Sequence, residues 1–131
     1  MKKLLPLIAG LGLGFLALAS TCGGAAWLFL RNAALDRARA VTGVSWPSGS
    51  HVVSIDEHSS INSDHTEVLV ELDAAAVPGF LAAHPQLVVG GCRGVTAPCA
   101  EGNTPGSVML DWRVEFDPAT RRLRERVDGF W

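Results

Sequence analysis

Val108-Met109-Leu110-Asp111-Trp112-Arg113-Val114-Glu115-Phe116, followed by Asp117-Pro118-Ala119-Thr120 and Arg121-Arg122-Leu123-Arg124-Glu125-Arg126-Val127, is the stretch from which the fold is read. Val108, Leu110, Trp112, Val114 and Phe116 recur at every second position, so one side of an extended chain is apolar and the other carries Asp111, Arg113 and Glu115. Asp117 and Pro118 are the residues a tight turn selects, because the aspartate caps its own backbone and proline presets φ at the second position. Leu123 to Val127 then returns as an antiparallel partner.

Working back from this hairpin, Thr66, Val68, Val70 and Leu72 alternate with Glu67, Leu69 and Glu71, which predicts another half-buried strand. His51 to Asp56 reads as its neighbour, joined to it by a polar loop over residues 57–65. Asp73 is placed to cap, and a short helix over residues 77–84 follows, with Pro78 in its first turn, Phe80 and Leu81 facing inward, and Pro85 as its stop. Leu87-Val88-Val89 is a brief extended segment before a glycine- and cysteine-rich loop that runs to Gly106. The expected class is α+β: an N-terminal transmembrane helix, then a ββαββ antiparallel sheet with one covering helix.

The N-terminus sets the location. Behind Met1-Lys2-Lys3, residues 4–30 are an almost unbroken apolar run. As a helix it would be roughly 40 Å long, enough to span a hydrocarbon core of roughly 30 Å with tilt. Trp27 falls near its far end, where interfacial tryptophans concentrate. The expected organisation is a signal anchor over 1–30, a juxtamembrane helix and linker over 31–45 in which Gly43 ends the helix, and an extracytoplasmic domain over 46–131. Two processed forms compete with the anchor. Ala17-Leu18-Ala19 has the small-x-small form of a signal-peptidase site, giving a secreted product after Ala19. Leu18-Ala19-Ser20-Thr21-Cys22 resembles the lipidation site of bacterial lipoproteins, with Thr21 where that pattern has a smaller residue.

Flanking charge is nearly balanced, Lys2 and Lys3 on one side against Arg31, Arg37 and Arg39 on the other, and the cysteines decide the orientation. Cys92 and Cys99 close a short loop, as expected of a chain folded in an oxidising compartment; two free thiols in a cytosolic loop is the competing reading. Beyond the leader there is no lysine, and nine arginines stand against thirteen acidic residues, a formal charge of −4. Such a domain has no electrostatic attraction for a phosphate backbone, so nucleic acid is excluded as a partner class. Arg121, Arg122, Arg124 and Arg126 are interleaved with acids and read as cross-strand ion pairs, ahead of a headgroup-binding patch.

One polar constellation stands out. His51, Asp56, Glu57, His58, Asp64 and His65 all fall on the first hairpin. Imidazole with carboxylate suits Zn²⁺ or Ni²⁺, and Asp56, His58, Asp64 and His65 are the candidate ligands; no recognised ligand spacing accompanies them, and mutual hydrogen bonding that shapes the loop is the competing role. Ser54, Ser59, Ser60 and Ser63 lack a nucleophile-elbow pattern, and Gly90-Gly91-Cys92-Arg93-Gly94 lacks the Lys-Ser/Thr ending of a phosphate loop. Trp112 is expected in the core, Trp46 where the chain enters the domain, and Trp131 at the sheet edge.

Gly43-Val44-Ser45-Trp46-Pro47, then Ile55-Asp56-Glu57-His58 through Asp64-His65 and an alternating strand, resemble small uncharacterised bacterial membrane-anchored, lipoprotein-like envelope proteins. Those have a Gly-x-x-Leu-Pro opening and an Asp-x-His-Gly-Gly-Phe-like loop ending in Asp-Gly. Here Trp46 replaces the leucine, Ser59-Ser60 the glycines, and His65 the final glycine. The resemblance covers residues 43–72 and implies an envelope location and a sheet-rich domain, without an assigned activity. Together these readings point to a tethered domain that acts by binding another envelope protein, without catalysis and without a cofactor; a metal-binding or metal-dependent hydrolytic hairpin is the alternative.

Overall fold

The computed structural model describes residues 5–106 and 108–131, with side chains from Gly23 onward. The elements are α1 (Leu5–Thr42), β1 (His51–Ser59), β2 (Ser63–Glu71), a 3₁₀ turn (Ala74–Ala76), α2 (Val77–Ala83), β3 (Val88–Val89), β4 (Pro98–Thr104), β5 (Met109–Asp117) and β6 (Arg122–Phe130). All six strands join one antiparallel sheet in the order β1-β2-β6-β5-β4-β3. The chain is therefore α+β, with six strands where the sequence suggested four and a brief fifth. The expected span over residues 4–30 falls largely on positions whose side chains lie outside the described set; among the described residues no helix is long and apolar enough to cross a membrane.

Two compact units partition the chain, residues 1–33 and 34–131. In the second, the last turns of α1 are part of the core: Ala34, Leu35, Ala38 and Thr42 recur at helical spacing and are buried, while Asp36 and Ala40 face solvent. Residues 34–45, expected as a juxtamembrane helix and linker, thus pack with the sheet. Gly43 ends the helix at φ 68°, its N–H donating to the Arg39 carbonyl at 2.9 Å, and Val44 is buried immediately after it.

One sheet face is apolar. Val68, Val70 and Leu72 from β2 and its end, Val114 and Phe116 from β5, and Leu123 from β6 are fully or nearly fully buried there, with Phe80 of α2 tilted against Phe116 at 5.8 Å between ring centroids. Phe80 is the inward residue of α2; Leu81 is only partly buried. Asp73 precedes the 3₁₀ turn without a side-chain cap, and its carbonyl accepts from the Ala76 N–H instead. His84 fastens the far end of α2: its Nδ1–H donates to the Phe80 carbonyl at 2.8 Å, which leaves Nε2 to accept the Ser45 N–H at 3.3 Å.

β4 pairs with β5 from Cys99↔Glu115 to Thr104↔Leu110, where the sequence suggested a loop. Its Gly102 explains the miss. A Cβ at that position would lie 2.5 Å from the Trp112 ring, so the glycine belongs to the strand because an indole lies over it. Cys92 and Cys99 sit at disulfide distance, Cα to Cα 5.6 Å, and both are buried. The β5–β6 turn is built as its residues dictate: Asp117 accepts from the Ala119 N–H at 2.9 Å and the Thr120 hydroxyl at 3.0 Å, and Arg121 takes the left-handed position at φ 58°.

Candidate functional surface

Antiparallel pairing puts directly opposed residues on the same face, so the register fixes what the second sheet face displays. Across β1, β2, β6, β5 and β4, one row reads His58, His65, Asp128, Asp111 and Asn103. The next reads Asp56, Glu67, Arg126, Arg113 and Glu101. The arginines of β6 thus form a column with Glu67 and Glu71 of β2 on one side and Arg113 between the acids of β5 on the other. Arg124 Nε lies 3.2 Å from Glu67, Arg126 Nε 3.3 Å from Asp128, and Arg113 bridges Glu101 at 3.0 Å and Glu115 at 3.5 Å. Cross-strand ion pairs are present, but the β6 arginines make them with Glu67 and Glu71 of β2 and not with the acids of β5; Arg126–Asp128 runs along one strand, and Glu125 faces the opposite way. A shallow depression of about 460 Å³ opens over Glu101, Asn103, Asp111, Arg113, Arg126 and Asp128.

The expected loop over residues 57–65 is strand on both sides of a short turn at Ser60-Ile61-Asn62, with His58 opposite His65 and Ser59 opposite Asp64. Strand alternation separates the four candidate metal ligands. Asp56, His58 and His65 lie on the open face, where His58 Nε2 is 3.0 Å from Asp56 and the two imidazoles stack at 6.2 Å. Asp64 points to the helix-covered face and is held by Arg37 of α1 in a two-pronged contact of 2.7 and 2.9 Å. That hydrogen bond keeps the guanidinium above its ordinary pKa range against the opposing effect of burial, with the charges of Asp64 and Glu57 adding to it. His65 is engaged through Nδ1 with Asp128, and its Nε2 is 3.7 Å from Glu67. His51 pairs with Glu71 at the other end of β1. Among the described residues, no group of three or more His, Cys, Asp or Glu side chains is arranged to hold a metal ion. The partners of Asp64 and His65 lie 27 and 63 positions away in sequence, beyond the reach of spacing arguments.

Glu125 lies between Val68 and Val114 in the middle of the apolar face, fully buried beneath the C-terminal turn of α1. Burial raises its carboxyl to about 7 even against the lowering effects of the Thr42 hydroxyl and the charge of Arg39. Thr42 Oγ1 is 2.8 Å from the Ala38 carbonyl, 3.0 Å from Glu125 Oε1 and 3.2 Å from the Val44 N–H that donates to it. A hydroxyl has one hydrogen. It is shared between the Ala38 carbonyl and Glu125 Oε1, so Thr42 satisfies the carboxylate only in part. The carbonyl end of α1 also disfavours an anion there. The Arg39 guanidinium stacks over Trp46 at 4.1 Å. The signal for this group was in the sequence: a glutamate at an inward position between Leu123 and Val127.

Trp112 packs against the core as expected, and Trp46 lies where the chain enters the sheet domain. Trp131 is more than half exposed; its indole N–H donates to the Ile61 carbonyl at 2.8 Å, tying the chain terminus to the β1–β2 turn. Compared with protein-family models, curated proteins and solved structures, the chain has no match.

Proposed function

We propose that this chain is a bacterial envelope protein whose residues 4–30 anchor it in the cytoplasmic membrane and whose disulfide-stapled domain works outside the cytoplasm as a binding module for another envelope protein. The observation that carries the binding reading is the open sheet face. It offers the β6 arginines between Glu67 and Glu71 of β2 and a mixed β5 column of Asp111, Arg113, Glu115 and Asp117, half-exposed and already paired within the sheet. Pre-ordered charges of alternating sign favour a partner of matching pattern and oppose a uniformly charged one, which is how polar interfaces gain specificity. The apolar run and the Cys92–Cys99 pair support the location. The metal reading has lost Asp64, whose carboxylate is taken by Arg37.

The test is photocrosslinking in host membranes from a reactive residue placed at Arg124, with the same residue at Ser48 as the control. A discrete adduct from position 124 that is weakened by Arg126→Glu is the expected result. The same background pattern from both positions would remove the open face as a binding surface.

A further inference from the structure

The end of the sheet at the β1–β2 turn gathers five of the exposed large apolar side chains of residues 34–131; Val53, Val88 and Val89 lie elsewhere. Ile61, at the β1–β2 turn, is 97% exposed; Met109 and Phe130 are cross-strand partners on the open face at 49% and 46%; Trp131 follows at 55% and Val108 at 41%. Trp131 hydrogen-bonds through its backbone N–H to Asn62 and through its indole N–H to the Ile61 carbonyl, which fixes it beside the β1–β2 turn.

The chain enters the domain at this end. Within the unit 34–131, Thr42 lies over Glu125, whereas Arg37, toward the N-terminus, reaches Asp64, whose strand partner is Gly129. Going backward along the helix therefore leads from the middle of the sheet toward Phe130, and Ala34 lies further in that direction. Only Arg31, Asn32 and Ala33 separate the apolar run, ending at Leu30, from Ala34. Even fully extended, that link spans at most about 14 Å. The headgroup zone outside each side of the hydrocarbon core is roughly 5–8 Å thick. A domain tethered so closely, by the end that carries the apolar cluster, cannot carry that cluster far from the lipid surface.

We infer that Ile61, Val108, Met109, Phe130 and Trp131 form a lipid-docking tip that inserts into the interfacial zone of the membrane in which residues 4–30 are anchored. Tryptophan and phenylalanine with aliphatic neighbours are the side chains that settle at that depth. Docking here leaves the arginine column of β6 running away from the bilayer, since Arg126, Arg124 and Arg122 lie progressively further from Phe130. The inference rests on the anchoring proposed above.

The four tryptophans provide a test that separates the two claims. The full chain, made with fluorotryptophan, is reconstituted in phosphatidylcholine and phosphatidylglycerol vesicles that contain a phosphatidylcholine spin-labelled near the headgroup end of its acyl chain. The fluorine lines are assigned by single tryptophan-to-phenylalanine variants. Expected is strong broadening of Trp27 and Trp131 with Trp46 left sharp, and loss of the Trp131 broadening alone in Ile61→Glu, a change at a side chain with almost no contacts to lose. Trp27 broadened with Trp131 sharp overturns the docking tip and keeps the anchor. Both sharp overturns both. Trp131 broadened with Trp27 sharp keeps the lipid contact and overturns the anchor. Broadening of Trp131 that survives Ile61→Glu overturns this tip as the contact.

Discussion

Glu125 and Asp64 are both acidic residues on the helix-covered face of the sheet, yet their surroundings differ. Asp64 meets the Arg37 guanidinium near the sheet end; Glu125 lies under a helix C-terminus among valines, where burial pushes it up to about 7. Between about pH 4.5 and 7 the folded protein keeps a proton on Glu125 that the unfolded chain has released, so stability is highest below that window, falls as pH rises through it, and is flat above. Glu125→Gln removes this slope. By denaturation in mild detergent at pH 8 it is expected to be more stable than the parent by up to roughly 3 kcal/mol, and indistinguishable from it at pH 4. Arg37→Ala leaves Asp64 without its partner. Because Arg37 is about a third exposed, the expected loss is about 1 kcal/mol, measured in the same way. The sequence showed Glu125 only as a phase violation in an alternating strand, and Asp64 as a loop carboxylate and candidate metal ligand. Neither partner was legible, because Arg37 and Thr42 lie in the segment that reads as a juxtamembrane helix and linker outside the sheet domain.

The elements that were legible are those with one apolar and one polar side. β2, β5 and β6 follow their alternation, and α2 follows its proline and its inward Phe80. The last residues of β1 and the whole of β4 were not legible, for two different reasons. β1 is an edge strand whose second half, Asp56 to Ser59, is polar on both faces, so there is no period to detect. β4 contains proline, glycine and asparagine, ordinarily loop residues, and is a strand because Trp112 fills the space over Gly102. Gly102→Ala should displace that indole, with an expected cost of about 1–3 kcal/mol and a changed near-ultraviolet circular dichroism signal; an unchanged signal would mean the ring does not sit there. At the other end of β4, replacing Cys92 and Cys99 together by serine should cost about 2.5 kcal/mol, the value expected for closing so short a loop, read from the denaturation midpoint under non-reducing conditions.

At the scale of the whole molecule, the two sheet faces divide the work. The covered face holds the domain together, with α2 and the last turns of α1 over a core that runs from Leu35 to Leu123. The open face is the proposed recognition surface, and the apolar tip the proposed lipid contact. The proposed location joins these parts, since an apolar tip and a stapled loop both make sense for a domain held against the outer side of a membrane. The chain has three cysteines, which makes that location directly measurable. Membranes from the host are acid-quenched, dissolved in denaturant and treated with a polyethylene-glycol maleimide, without and with prior reduction. A tethered, extracytoplasmic domain predicts one adduct before reduction, from Cys22, and three after it. Three adducts before reduction would place Cys92 and Cys99 in a reducing compartment and contradict the account.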